Sequence, residues 1–209
     1  MNIIHDQSVE SFLDALASKT PTPGGGSAVA VLGAMGAALV SMVANLTIGK
    51  KNYETVEAEM REVLGSADQL RGRILALVAA DIAAFDQVMA AYGLPKETEA
   101  DKASRSEAIQ MGLKAATEVP LACAELCREV ILLSRSVAEK GNRNVISDAG
   151  VAVLAAHAGF RSAVLNVHVN TGTIRDADFV ADALARLETL AQDLDATAEA
   201  TYEIVKARL

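Results

Sequence analysis

A chain of 209 residues, 51% of them hydrophobic, has the material for one core and suits a single domain over residues 1–209. Its 27 acidic against 19 basic residues leave a formal net charge of −8, without the basic footprint of a nucleic-acid binder. The apolar residues are chiefly Ala, Leu and Val, with no Trp and 3% aromatics, and such small side chains let helix axes approach closely, which favours packed helices over a sandwich or barrel.

The opening stretch Met1 to Asp6 has neither a basic region nor an apolar run, so it does not read as a secretory signal. A first helix is predicted over Ser8 to Ala17, with Phe12, Leu13 and Leu16 on one face. Pro21 to Gly26 is too rich in Pro and Gly to be anything but a loop. Ser27 then suits the N-cap of a second helix reaching about Ile48 and stopped by Gly49. The run from Thr20 to Gly49 carries no charge, and a membrane span is possible on length alone. The surrounding helices are amphipathic, so this one is expected to be a buried central helix of a membrane-free, cytoplasmic protein.

One long helix is predicted from Tyr53 to about Ala91, ended by Gly93-Leu94-Pro95. A fourth is expected from Thr98 to Glu118, with Pro120 as a break or kink, and a fifth from there to Lys140, closed by Gly141. The sixth, Ser147 to Val169, is again almost uncharged, and after Thr171-Gly172-Thr173 a last helix is expected over Asp176 to Ala207. No segment alternates like a strand and no repeat period appears. The expectation is an all-α bundle of about seven helices around two nearly uncharged central ones, sharing a face with another copy in a homodimer or higher oligomer.

Several residues stand out against this pattern. Stepping by sevens from Met60 passes Ala67 and Ile74, then reaches Asp81 inside the apolar stripe. A carboxylate there must be paired with a group from another helix or serve a ligand. Asp148 opens the sixth helix, where an acid complements the helix dipole, beside the polar cluster Gly141-Asn142-Arg143-Asn144. Gly24, Gly25, Gly26 and Ser27 can present backbone amides to an anion, although the segment matches neither the dinucleotide fingerprint nor the Walker pattern. Lys50 and Lys51 follow the second helix, to neutralise its end or to hold a carboxylate. Asn166 and Asn170 are unusual on so apolar a helix and can read the polar edge of a heterocycle. His157 and His168 read as packing residues, and Cys123 and Cys127, on one helix face, as small apolar groups. No metal-ligand spacing is present, and no metal or organic cofactor is implied.

Taken in order, Pro23-Gly24-Gly25-Gly26-Ser27, Gly33 to Leu39, Gly49-Lys50-Lys51, Asp81 to Phe85, Leu94-Pro95-Lys96, Val119-Pro120-Leu121, Gly141-Asn142 and Ser147-Asp148 resemble the cyclodeaminase domain of formiminotransferase-cyclodeaminase. Within that family, Met35 to Lys51, Val137 to Asn142, Asn144 to Leu154 and the length are most similar to the stand-alone methenyltetrahydrofolate cyclohydrolases. The resemblance implies a dimeric, all-helical folate enzyme with its acid/base at Asp81. A mechanism consistent with it uses Asp148 as a second acid. The folate would be held by Gly24 to Ser27, Lys50, Lys51, Asn142 and Asn166. The reaction expected is hydrolysis of 5,10-methenyltetrahydrofolate to 10-formyltetrahydrofolate. Deamination of formiminotetrahydrofolate is the alternative, and a folate-binding bundle without catalysis is a third reading.

Overall fold

The structure, a computed structural model, describes residues 8–209, so the opening stretch Met1 to Asp6 lies outside it. The described residues form α-helices and short 3₁₀ turns: α1 (Val9–Leu16), α2 (Gly25–Asn45), α3 (Glu57–Tyr92), α4 (Glu99–Lys140), α5 (Ile146–Thr171), α6 (Ala177–Ala191) and α7 (Leu194–Arg208). Helices α2 to α5 make the bundle, each antiparallel to the one before it because the connections are short. In space α2 touches α3 and α5, α4 touches the same two, and α2 also reaches α4 across the centre. Helix α6 lies along α4, and α7 lies in the groove between α4 and α5.

The small residues anticipated on α2 are what bring its neighbours in. A methyl added at Gly33 would stand 2.7 Å from Cys127 Sγ, and one at Gly36 would stand 3.0 Å from the Ala152 carbonyl oxygen. A methyl added at Gly159 of α5 would stand 3.0 Å from the same Cys127 sulfur, so three helices converge on one thiol. Cys127 and Cys123 are free and buried, and the Cys123 contact, with burial, pushes the Cys127 thiol far up. Both serve as small packing residues.

The structure departs from the predicted elements in three places. Helix α4 runs unbroken through Pro120, because the carbonyl that proline leaves without a partner, that of Ala116, accepts a 2.9 Å hydrogen bond from Asn170 Nδ2 of α5. The single last helix divides into α6 and α7 at Gln192-Asp193, where Asp193 takes a left-handed φ of 58°. Ser27 is not the N-cap of α2; Gly24 is, and Ser27 lies one turn inside with its hydroxyl turned to another helix.

Three segments, Gly25–Asn45, Glu54–Tyr92 and Arg143–Thr171, are long and apolar enough by length and composition to cross a membrane. In the bundle α2 buries Val29, Ala30, Ala37, Val40 and Val43 against its neighbours. At 1.5 Å per residue α2 is about 32 Å long and α3 about 54 Å. The last eleven residues of α3 after Asp81 therefore project, with the start of α4, about 17 Å past the N-terminus of α2. Where α2 begins against α3, its end meets Asp81.

Candidate active site

Asp81 lies on α3 facing the first turn of α2. Ser27 Oγ donates a 2.9 Å hydrogen bond to Asp81 Oδ2, and the Ser27 backbone amide also donates to the carboxylate. The anion anticipated at the glycine-rich helix start is thus the protein's own Asp81, which caps α2 from a second helix. Gly26 makes this approach possible: a methyl there would stand 2.1 Å from Asp81 Oδ1 and 2.6 Å from its Cγ.

Burial pushes the Asp81 carboxyl above its ordinary range, and the two Ser27 hydrogen bonds pull it part of the way back. Among the described residues no Lys or Arg forms an ion pair with it. A half-buried carboxylate held by hydroxyl and amide donors, without a cation, is suited to take and return a proton.

Beside Asp81 is a small, partly open cavity of about 10 Å³, walled by Gly26, Val29, Leu77, Val119, Cys123 and Asn166. That is room for about one water. An open apolar trough of about 460 Å³ lies farther along the projecting hairpin, walled by Gln87, Leu94, Met111, Gly112 and neighbouring alanines. It contains no titratable side chain, so the acid–base chemistry stays with Asp81. The apolar walls of the small cavity had no separate mark in the sequence, since Val29, Leu77 and Cys123 there read as ordinary core residues.

The structure divides the sequence-selected residues between the two ends of the bundle. Gly24, Gly25, Gly26, Ser27, Asp81 and Asn166 come together, with Asn166 Oδ1 3.9 Å from where a Gly25 methyl would sit. Lys50, Lys51, Asn142 and Asp148 lie at the opposite end. Eighteen residues of α5 separate Asp148 from Asn166, a rise of about 27 Å, so within one chain Asp148 does not reach Asp81. Its local place is the first turn of α5.

Asn142 is 4% exposed and its side chain is already engaged. Its Nδ2 donates to the Leu46 carbonyl at 2.8 Å, and its Oδ1 accepts from the Asn144 amide at 3.0 Å. It closes the C-terminus of α2, a structural task within the chain. Asn170 is likewise engaged with the Ala116 carbonyl. His157 bonds Asp195 at 2.7 Å, and among the described residues no three His, Cys, Asp or Glu cluster as metal ligands.

Comparison with known proteins adds a second line. The family model described as Formiminotransferase-cyclodeaminase matches residues 8–189. A methenyltetrahydrofolate cyclohydrolase of Methylorubrum extorquens is 56% identical over 204 residues, covering 98% of each chain. The formimidoyltransferase-cyclodeaminase of Sus scrofa is 34% identical over 96% of this chain, which spans 37% of that longer protein. The crystal structure of a formiminotetrahydrofolate cyclodeaminase from Thermotoga maritima superposes with a TM-score of 0.84 at 35% identity, over 99% of this chain and 97% of the other.

Proposed function

The chain belongs to the formiminotransferase-cyclodeaminase family, and from that premise we propose that it is a methenyltetrahydrofolate cyclohydrolase, with Asp81 as its base. The observation that carries the catalytic reading is the raised, cation-free carboxyl of Asp81 beside a water-sized cavity.

The substrate is an amidinium cation delocalised over N5, the bridging carbon and N10. An ionised Asp81 attracts that charge and accepts a proton from the water that adds to the bridging carbon. The resulting carbinol carbon bears one hydroxyl and two nitrogens. Asp81 returns its proton to N5 as the carbon–N5 bond breaks. The hydroxyl loses its own proton to become the formyl carbonyl of 10-formyltetrahydrofolate. The sum is one water consumed and one proton released. Ser27 keeps the carboxylate oriented through both transfers.

We read the enzyme as a cytoplasmic homodimer acting on a free small molecule without membrane, nucleic acid or cofactor. The uncharged run of α2 and the exposed Val151, Leu154 and Leu165 of α5 support a helix-to-helix interface between copies. The protein is expected in the soluble fraction without detergent, and detergent-dependent extraction would overturn that part.

The deciding experiment mixes purified protein with 5,10-methenyltetrahydrofolate in mildly acidic buffer and follows loss of its near-ultraviolet absorbance against a protein-free blank. Rapid loss that Asp81→Asn abolishes supports the assignment. No acceleration refutes it. The fold shared with the Thermotoga cyclodeaminase favours a second reading, deamination of formiminotetrahydrofolate, which ammonia release would reveal. A folate-binding bundle without catalysis would retain folate and turn over neither compound.

A further inference from the structure

Beyond the Asp81 cavity, the projecting hairpin of α3 and α4 carries a second, more polar pocket of about 260 Å³, walled by Tyr92, Arg105, Ser106, Gln110, Thr173 and Arg175. Gln110 holds its rim in place. Its Nε2 donates to the Thr173 carbonyl at 3.1 Å, and its Oε1 accepts from the Arg175 amide at 2.7 Å. The Arg175 guanidinium donates to Ser106 Oγ at 2.8 Å. Arg105, the neighbour of Ser106, donates from Nε and one terminal nitrogen to the Tyr92 carbonyl at 3.2 and 3.1 Å and lies over the Tyr92 ring. A guanidinium carries five N–H donors, and these contacts use two on Arg105 and one on Arg175. Among the described residues neither arginine forms an ion pair, in a chain whose formal net charge is −8. Two guanidinium groups at one pocket, with donors to spare and no carboxylate between them, favour an anion there.

The pocket lies on the flank of the hairpin that leads back to Asp81. Ile174, just past α5, packs with Ala91, Ile109 and Leu113. That contact keeps Thr173 and Arg175 on the side of the hairpin where α5 runs, and α5 is the helix whose Asn166 walls the Asp81 cavity. The steps are short. Asp81 to Tyr92 is a rise of about 16 Å along α3, and Asn166 to the end of α5 at Thr171 is about 8 Å. Phe85 lies between Asp81 and Tyr92 on the same stripe of α3. In an extended folate the two glutamate carboxylates stand about 10–13 Å from the bridging carbon. A substrate with that carbon at Asp81 therefore brings its carboxylates within the reach of two arginine side chains. Lys50 and Lys51, past the far end of α2 and so about 32 Å away within the chain, are out of that reach.

We propose that the pocket of Tyr92, Arg105, Ser106, Gln110, Thr173 and Arg175 is a carboxylate site, in which Arg105 and Arg175 hold the glutamate carboxylates of the folate. The inference rests on the folate-enzyme reading and adds where the tail of the substrate is held. The aryl ring then spans the stripe of α3 that runs from Asp81 past Phe85. Gln110, bonded at both ends of its amide, fixes Arg175 before the ligand arrives, so little ordering is left to the moment of binding.

The test is a pair of ligands that need no turnover. Tetrahydrofolate carries the glutamate, whereas tetrahydropteroyl methylamide keeps the pterin and the aryl ring but ends in a neutral amide. Both are titrated into the purified protein by calorimetry. The wild type should bind tetrahydrofolate at least about tenfold more tightly, and added salt should shrink the difference. Arg175→Gln should remove most of that preference by weakening tetrahydrofolate alone, and Arg175→Lys, which keeps the charge, should restore part of it. Arg105→Gln should act in the same direction, but Arg105 also holds the end of α3, so the Arg175 pair carries the decision.

Three results overturn the carboxylate site and leave the folate reading in place. They are equal affinity of the wild type for the two ligands, an unchanged preference in Arg175→Gln, and a loss in Arg175→Gln that both ligands share. Binding of neither ligand to the wild type overturns the folate reading itself, and the carboxylate site with it.

Discussion

Gly26→Ala separates the position of Asp81 from its chemistry. Gly26 lies within α2, where alanine is ordinarily the better helix former by about 0.5–1 kcal/mol. Here the added methyl would stand 2.1 Å from Asp81 Oδ1. A carbon–oxygen contact relaxes to roughly 3.4 Å, so the carboxylate must retreat by more than about 1 Å from its place at Ser27. Overpacking of this kind costs about 1–3 kcal/mol, which exceeds the helix gain. A displacement near 1 Å at a reacting group costs on the order of 10²-fold in rate. Gly26→Ala should therefore lower both stability in urea unfolding and turnover in the absorbance assay. In an Asp81→Ala background the obstruction is gone, and the same substitution should become neutral or stabilising, a coupling of about 1–3 kcal/mol between the two sites. Full activity with unchanged stability in the single variant would refute the packing of Asp81 against the start of α2, and with it the account of the base.

Asp81→Asn keeps an oxygen to accept from Ser27 but loses the base, and turnover should fall by about 10²–10⁴-fold while the fold stays at least as stable. Burial raises the Asp81 carboxyl, so between its ordinary and folded pKa the folded state holds the proton and the unfolded state does not. Stability then falls as pH rises through the folded value, and the stability of Asp81→Asn relative to wild type should grow across that window and vanish in stronger acid; denaturation at several pH values checks this. The acid limb of kcat/KM should lie above the ordinary aspartate range, and Ser27→Ala, which removes a hydrogen bond that lowers the pKa, should move it to higher pH. Asn170→Ala should cost about 1–3 kcal/mol in urea unfolding by stranding the Ala116 carbonyl, and adding Pro120→Ala, which restores a backbone donor, should recover part of it.

The helices and the catalytic candidate were readable because both depend on local period. A heptad row needs no tertiary knowledge to place Asp81 in an apolar stripe, and Gly and Pro mark the loops directly. Pro120 misled because its remedy is non-local: Asn170 lies on another helix and nothing near the proline announces it. The division between α6 and α7 escaped because Asp193 takes its left-handed turn without a glycine to signal it. The capping task of Asn142 was not legible, because a capping asparagine and a binding asparagine look alike until the Leu46 carbonyl is seen beneath it. Lys50 and Asp148 were selected as part of the site, yet which end of the bundle they occupy is a matter of topology that one-dimensional spacing does not express.

The proton count gives Asp81 a part in either of the two folate reactions. In the cyclohydrolase direction Asp81 must begin as a carboxylate, because its first act is to take a proton from water. In the cyclodeaminase direction N10 supplies the attacking electrons, a base takes the N10 proton, and the same carboxyl can return it to the departing ammonia. One residue serves both, so the identity of the acid–base group does not separate them. The difference lies in whether one water can stand against the bridging carbon at the moment of attack. The small space beside Asp81, with Leu77, Val119 and Cys123 as apolar walls, is of that size. Its polar boundary, Asp81 itself and Asn166, supplies the partners a single water needs. A wall that filled this space would leave the base intact and deny room to the water that attacks in one reaction and to the ammonia that leaves in the other.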